Sequence, residues 1–157
     1  MPQARLADTI NAQEGTAFIT INGSNRQLFE VSSVKAQIDY TVTAKRMLGN
    51  RMTQHKVTGM EGSGSMTMYF ENSQMLNLAL SYLKDGKQPV ISLKVRNVDP
   101  QSTVGAQEVD LYNIILNTVP VAALDDSSDD PITFDTDFTF DGITIGESFV
   151  LPQNFRQ

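Results

Sequence analysis

The chain contains no cysteine, no tryptophan and a single histidine, His55, in 157 residues. Without cysteine there can be no disulfide, thiolate metal site or thiol nucleophile, which fits folding in a reducing compartment. Without tryptophan, the ring best suited to stacking on a sugar is missing. A lone histidine cannot build a multi-histidine metal site, and any catalytic triad would have to use it. His55 sits among cations, which disfavour the imidazolium that a general base must form. No run of about 18 apolar residues is present, so no helix is expected to span a membrane. The stretch Met1–Asp8 lacks the apolar segment of a secretory signal, and none is expected.

Basic residues are scarce in one half. Residues 1–96 hold 11 Lys/Arg against 7 Asp/Glu, whereas residues 97–157 hold only Arg156 against 11 Asp/Glu. With Arg156 as its one cation, at the far end, the second region offers little to hold phosphate, so tight nucleic-acid binding is not expected there. The formal charge of −6 is thus strongly polarised along the chain. Such a pattern suits either a soluble acidic surface or self-association, in which one region meets the opposite charge on a neighbouring copy.

What is present is alternation. The length predicts one domain, spanning 1–157, with a core of its own. Phe18-Ile19-Thr20-Ile21 and Gln27–Val31 flank Asn22-Gly23, a strong hairpin signal because both residues tolerate positive φ. Val34, Ala36, Ile38, Tyr40 and Val42 alternate with polar residues and predict a strand with one apolar face. The stretch Ala44–Met60 breaks the pattern, carries Lys45, Arg46, Arg51, His55 and Lys56 with no acid, and reads as a long functional loop. Alternation resumes through Gly64, Met66, Met68 and Phe70, with Gly62 and Gly64 read as a bulge or turn at the strand entry.

One helix is predicted. Asn72 or Ser73 caps it, Met75, Leu76, Ala79, Leu80 and Leu83 form its stripe, and Gly86 closes it. Strands follow at Val90–Arg96 and Glu108–Thr118, the second apolar on both faces and so expected to be covered twice or to lie at an interface. An acidic loop runs from Asp125 to Asp130. The last clear strand places Ile132, Phe134, Phe138 and Phe140 on one face and Thr133, Asp135, Asp137, Thr139 and Asp141 on the other. The tail 142–157 adds one short strand, Ile143–Ile145. The expectation is a mainly β protein: an antiparallel barrel or sandwich of about seven strands, with one packed α-helix and a long inter-strand loop. The missing βαβ alternation excludes Rossmann-like and TIM-like plans.

No catalytic set emerges. Asp125–Asp130 offers oxygen ligands of the kind calcium prefers but lacks the glycine and closing glutamate of an EF-hand loop, and reads as a solvated acidic loop. Asp135 and Asp137 share a strand face, as paired carboxylates of a glycosidase could, yet threonines and Asp141 share that row. A charged solvent or channel face is the better reading. Gly59–Gly64 has no following lysine or helix start, so it is no phosphate loop. Neither an enzyme nor a bound cofactor or metal is expected.

The order of elements resembles a known family. A hairpin at Ala17–Val31 leads to a strand at Val34–Thr43, then the basic segment Lys45-Arg46-Met47-Leu48-Gly49-Asn50-Arg51. The strand Gly62-Ser63-Gly64-Ser65-Met66-Thr67-Met68-Tyr69-Phe70 follows, then one helix and three strands. This is similar to the tail tube proteins of contractile phages and phage-tail-like particles of Gram-positive hosts, over almost the whole chain. The resemblance implies a barrel-like subunit that forms hexameric rings stacked into a hollow conduit for DNA or for membrane puncture. Strands of neighbouring subunits would complete an inner barrel, with the helix packed outside it.

Further implications concern partners and residues. Sheath protein would lie outside the tube, and baseplate and terminator proteins at its ends. DNA would pass without specific binding, and this chain would not insert into a membrane. Assembly would occur in the bacterial host cytoplasm, the product being a virion tail or tail-like particle. Loop 44–60 and tail 142–157 become assembly extensions, with Lys45, Arg46, Met47, Leu48, Arg51, His55 and Lys56 as interface candidates. Lumen candidates are Asp135 and Asp137, or alternatively Lys35, Gln37 and Asp39. The competing reading is a monomeric β-sandwich that binds a receptor or ligand.

Overall fold

The computed structural model describes residues 3–27, 31–127 and 129–156. Leu28, Phe29 and Glu30, the end of the expected hairpin, lie outside the described residues, as does Ser128 of the acidic loop. The protein is a sandwich of two antiparallel sheets, not a closed barrel. The five-stranded sheet has the order β2-β1-β5-β6-β9: β2 (Ser24–Gln27), β1 (Gly15–Ile21), β5 (Ile91–Val98), β6 (Ala106–Tyr112) and β9 (Gly142–Glu147). The four-stranded sheet has the order β3-β4-β8-β7: β3 (Val31–Lys45), β4 (Gln54–Tyr69), β8 (Thr133–Phe140) and β7 (Ile115–Leu116).

Local chemistry explains the turns. Asn22 and Gly23 have φ of 49° and 92°, which closes β1 onto β2 as a primed turn whose twist matches the strands. Helix α1 (Gln74–Asp85) begins where Asn72 Oδ1 accepts from the Gln74 N–H at 3.0 Å. It ends at Gly86, left-handed at φ 70°, whose N–H donates to the Tyr82 carbonyl. The helix differs from expectation in what it buries. Met75 is buried and Leu78 packs on the core, while Leu80 and Leu83 of the predicted stripe are exposed.

The core joins inward residues of both sheets: Ile19, Ile21, Ile91, Leu93 and Leu111 against Met66, Met68, Phe138 and Phe140, with Met75 and Ile114 at the margin. Gly62 and Gly64 are not at a strand entry but inside β4, paired to Phe140 and Phe138 of β8. A β-carbon at Gly62 would stand 2.4 Å from the Phe140 ring, and one at Gly64 2.4 Å from the Phe138 ring and 2.5 Å from the Lys35 carbonyl oxygen. The glycines are seats for two core rings that lean across the neighbouring strand.

The stretch expected as one strand from Glu108 to Thr118 is two strands in different sheets. Asn113, at φ 55°, turns the chain from β6 into β7. Its apolar residues on both faces reflect this switch: Leu111 is buried in one sheet, Ile114 at the corner, and Leu116 packs against the core from the other. A second switch, β8 to β9, passes through Asp141, which contacts the Asn113 side-chain amide and donates its N–H to the Tyr112 carbonyl at 3.1 Å. Splitting at Asn113 and at Asp141 brings the strands among the described residues to nine.

The tail, expected as an extension from residue 142, gives its first six residues to β9, paired with β6. Its remainder docks around Thr103. Thr103 Oγ1 accepts from the Gln153 N–H at 2.9 Å and donates to Asp8 Oδ1 at 2.6 Å, and the Thr103 N–H donates to the same oxygen at 3.1 Å. Asn154 reaches the Gln3 carbonyl at 2.6 Å. Both chain ends thus close on one loop.

These bonds from the Thr103 hydroxyl and N–H hold the Asp8 carboxyl below the usual carboxylate range. Because the folded pKa is depressed, the stabilisation is present above the unfolded value of about 3.9 and lost as pH falls through the lowered folded value. Amide exchange over residues 3–11 is expected to accelerate below about pH 4. Asp8→Asn should raise exchange there at neutral pH and flatten its acid dependence. An unchanged exchange profile in that variant would remove Asp8 from this role.

Candidate assembly surfaces

Two surfaces stand out, both built on the β3–β4 pair. The first is the outward face of the four-stranded sheet. Cross-strand partners share a face in an antiparallel sheet, and the register runs Ser33–Thr67–Asp135, Lys35–Ser65–Asp137 and Gln37–Ser63–Thr139, followed by Asp39–Glu61. The two alternative lumen sets proposed from sequence, Asp135 and Asp137 or Lys35, Gln37 and Asp39, are therefore one surface. It is hydroxyl-rich and carries one cation, Lys35, among the acids Asp39, Glu61, Asp135 and Asp137. Thr67 Oγ1 donates to Asp135 Oδ1 at 2.6 Å, and Gln37 Nε2 to Asp39 Oδ2 at 3.2 Å. Glu61 was missed in the sequence because its face is set by pairing with Asp39, not by local alternation.

The second surface is an arm. Residues 44–60, expected as a long loop, are for the most part strand: β3 runs to Lys45 and β4 starts at Gln54, leaving a turn at 46–53. Pairing with β8 stops at Gly62, so the hairpin beyond it is covered on neither face. From Ala44 onward alternation fails, and neither face of the arm packs on a core. A bulge sits at Thr41/Val42, where Thr58 Oγ1 donates to the Thr41 carbonyl at 3.2 Å. From Ile38 to Lys45 the arm projects about 25 Å at the rise of a strand.

All seven interface candidates lie at this end. Lys45, His55 and Lys56 are on the strands, and Arg46, Met47, Leu48 and Arg51 in the turn, which is shaped by Gly49 at φ 84° and by Asn50 Oδ1 accepting from the Met52 N–H. Every residue from Gly49 to Glu61 is exposed. The apolar strand face expected from Tyr40 and Val42 is continued across the arm by Met60 and Val57, their partners in β4, and all four are exposed.

The charge polarity along the sequence is met in part inside the chain. On the outer face of the five-stranded sheet, Lys94 lies 3.5 Å from Glu108 and 3.9 Å from Asp110, and Arg96 lies 3.8 Å from Glu108 and 3.7 Å from Glu147. The arm cations form no ion pair among the described residues. Asp125 is held below the usual carboxylate range by the Ser127 hydroxyl and N–H, and no group of residues suited to hold a metal ion exists among the described residues.

A family model described as phage tail tube protein matches residues 3–147. The chain belongs to the phage tail tube family. This tail tube protein is 28% identical over 140 residues to the phage-like element PBSX protein XkdM of Bacillus subtilis (strain 168), covering 89% of this chain and 92% of that protein. It is equally similar to the uncharacterized protein YqbM of the same organism. Its fold matches a chain of an extracellular contractile injection system, the PVC sheath/tube terminator in the extended state, with a TM-score of 0.65 at 10% identity over 88% of this chain and 97% of that one. It also matches a chain of the anti-feeding prophage baseplate, with a TM-score of 0.63 at 12% identity over 92% and 97%. The tail tube protein is a structural component of a phage tail or phage-like particle, not an enzyme.

Proposed function

We propose that this subunit assembles into hexameric rings that stack into a hollow tube, with the outward face of the four-stranded sheet turned to the channel. The observation that carries the reading is the gathering of Lys35, Asp39, Asp135 and Asp137 on one exposed, hydroxyl-rich face. Among the described residues this sheet also leaves two edges without a partner strand, the 15-residue β3 and the two-residue β7. An edge that long is an aggregation hazard unless another strand covers it. Joining the β3 edge of one subunit to the β7 side of the next closes the ring and removes both edges.

A lumen in which Lys35 is outnumbered by Asp39, Glu61, Asp135 and Asp137 lets DNA pass, because retained contacts would stall it. The solved relatives come from a sheath–tube complex, a baseplate and a tube-terminating cap. By the same reading, a sheath surrounds this tube, and baseplate and terminator proteins close its ends, with assembly in the host cytoplasm.

Negative-stain electron microscopy with light scattering tests the assembly: hollow tubes of uniform width are expected at high concentration. A strictly monomeric particle at every concentration favours the monomeric binding-module reading. Asp135→Asn with Asp137→Asn is expected to leave tube formation intact and to slow passage of DNA through particles. Unchanged DNA release from those particles would move the lumen to another face.

A further inference from the structure

The stacked-ring reading leaves open which surface of the next copy receives the arm. The arm presents two chemistries at once. Its tip carries Arg46 and Arg51 beside Leu48, which is 106% exposed, and Met52 at 77%. The complementary surface must be acidic and must also offer apolar side chains to cover.

Most acids of the chain fail this test. Glu108, Asp110 and Glu147 are engaged by Lys94 and Arg96. Asp8 and Asp99 are buried and accept from backbone N–H groups. Asp135 and Asp137 lie on a face of hydroxyls. The exposed leucines of α1 sit beside Lys84 and Lys87, which would repel the arm. The connection between β7 and β8 meets both requirements with the most exposed apolar residue beside an acid, Leu124. There Val121 is 66% and Leu124 95% exposed, directly before Asp125 and Asp126.

We propose that the arm tip of one copy seats on residues 121–127 and Asp129 of a copy in the neighbouring ring, with Leu48 and Met52 against Val121 and Leu124. Arg46 and Arg51 then face Asp125, Asp126 and Asp129. The chain's charge polarity thus becomes a head-to-tail recognition device: the basic end belongs to residues 1–96 and the acidic end to residues 97–157. Contacts of this kind repeat without closing, as a growing tube requires. This inference rests on the tube reading and adds the receiving surface to it.

The chain has no cysteine of its own, so introduced thiols report without background. Leu48→Cys and Leu124→Cys are prepared as separate proteins, co-assembled into tubes, and oxidised with diamide. The expected result is a disulfide-linked heterodimer on a non-reducing gel, absent when either variant is oxidised alone. The double variant should give a ladder of linked chains. Tubes visible by microscopy with no cross-link overturn the docking surface and leave the tube reading standing. Failure of the unaltered protein to form tubes overturns both. A charge exchange gives a second check: Arg46→Glu with Arg51→Glu, or Asp125→Lys with Asp126→Lys, should each lower tube yield by about tenfold or more. Combining the two should restore it, and no recovery in the combined variant would contradict the pairing.

Discussion

Gly64→Ala is expected to destabilise the protein by about 3 kcal/mol, the upper end of overpacking costs in a filled core. The added methyl would stand 2.4 Å from the Phe138 ring and 2.5 Å from the Lys35 carbonyl oxygen, so both a fully buried ring and a backbone atom would have to move. The backbone cannot give way cheaply, because Ala36 is paired to Gly64 in the adjacent strand. Against a total stability of about 5–15 kcal/mol, a loss of that size is large. Urea unfolding followed by circular dichroism measures it. Phe138→Leu in the same chain should recover part of the loss by vacating the ring's space, whereas the single variant Phe138→Leu should itself be destabilising. Additive effects of the two changes would show that the glycine is not a seat for the ring.

The second large effect concerns assembly. Replacing residues 41–59 with Asn-Gly joins Tyr40 to Met60, already paired across β3 and β4, through a two-residue turn suited to that geometry. The removed residues are all exposed, so unfolding free energy should change by no more than about 1 kcal/mol. Tube formation should nonetheless be abolished, since the cationic tip is gone together with Val42 and Val57 of the apolar arm face. Sedimentation velocity and microscopy on the shortened protein provide the reading. Tubes of normal length from a chain without its arm would show that rings stack through other surfaces.

The contrast between these two variants reflects how differently the two regions were legible in sequence. Where one face of a strand packs on the core, alternation reports it directly, as in β8 with Phe134, Phe138 and Phe140 opposed to Asp135 and Asp137. Turn chemistry at Asn22-Gly23 and at Gly86 was equally legible, because positive φ is a local demand. The arm was not. It is strand without a core on either side, so nothing forces the alternation of Ile38, Tyr40 and Val42 to continue, and Ala44–Met60 read as a loop. The sheet switch at Asn113 was hidden for a related reason. A strand apolar on both faces and a chain passing between two sheets produce the same pattern, and only the register separates them. The unity of the two lumen sets also depends on register: Lys35, Ser65 and Asp137 meet across three strands that are distant in sequence. The family resemblance carried the assignment past these gaps, since element order survives where local pattern fails.

The most direct test of the account is a helical cryo-EM reconstruction of tubes formed by the purified protein. Six-fold rings around an open channel are expected, with the β3-β4-β8-β7 sheet innermost and Lys35, Asp39, Asp135 and Asp137 facing the lumen. A tube whose channel is lined instead by the ion-paired face of the five-stranded sheet, or whose polar face is buried between subunits, would contradict it.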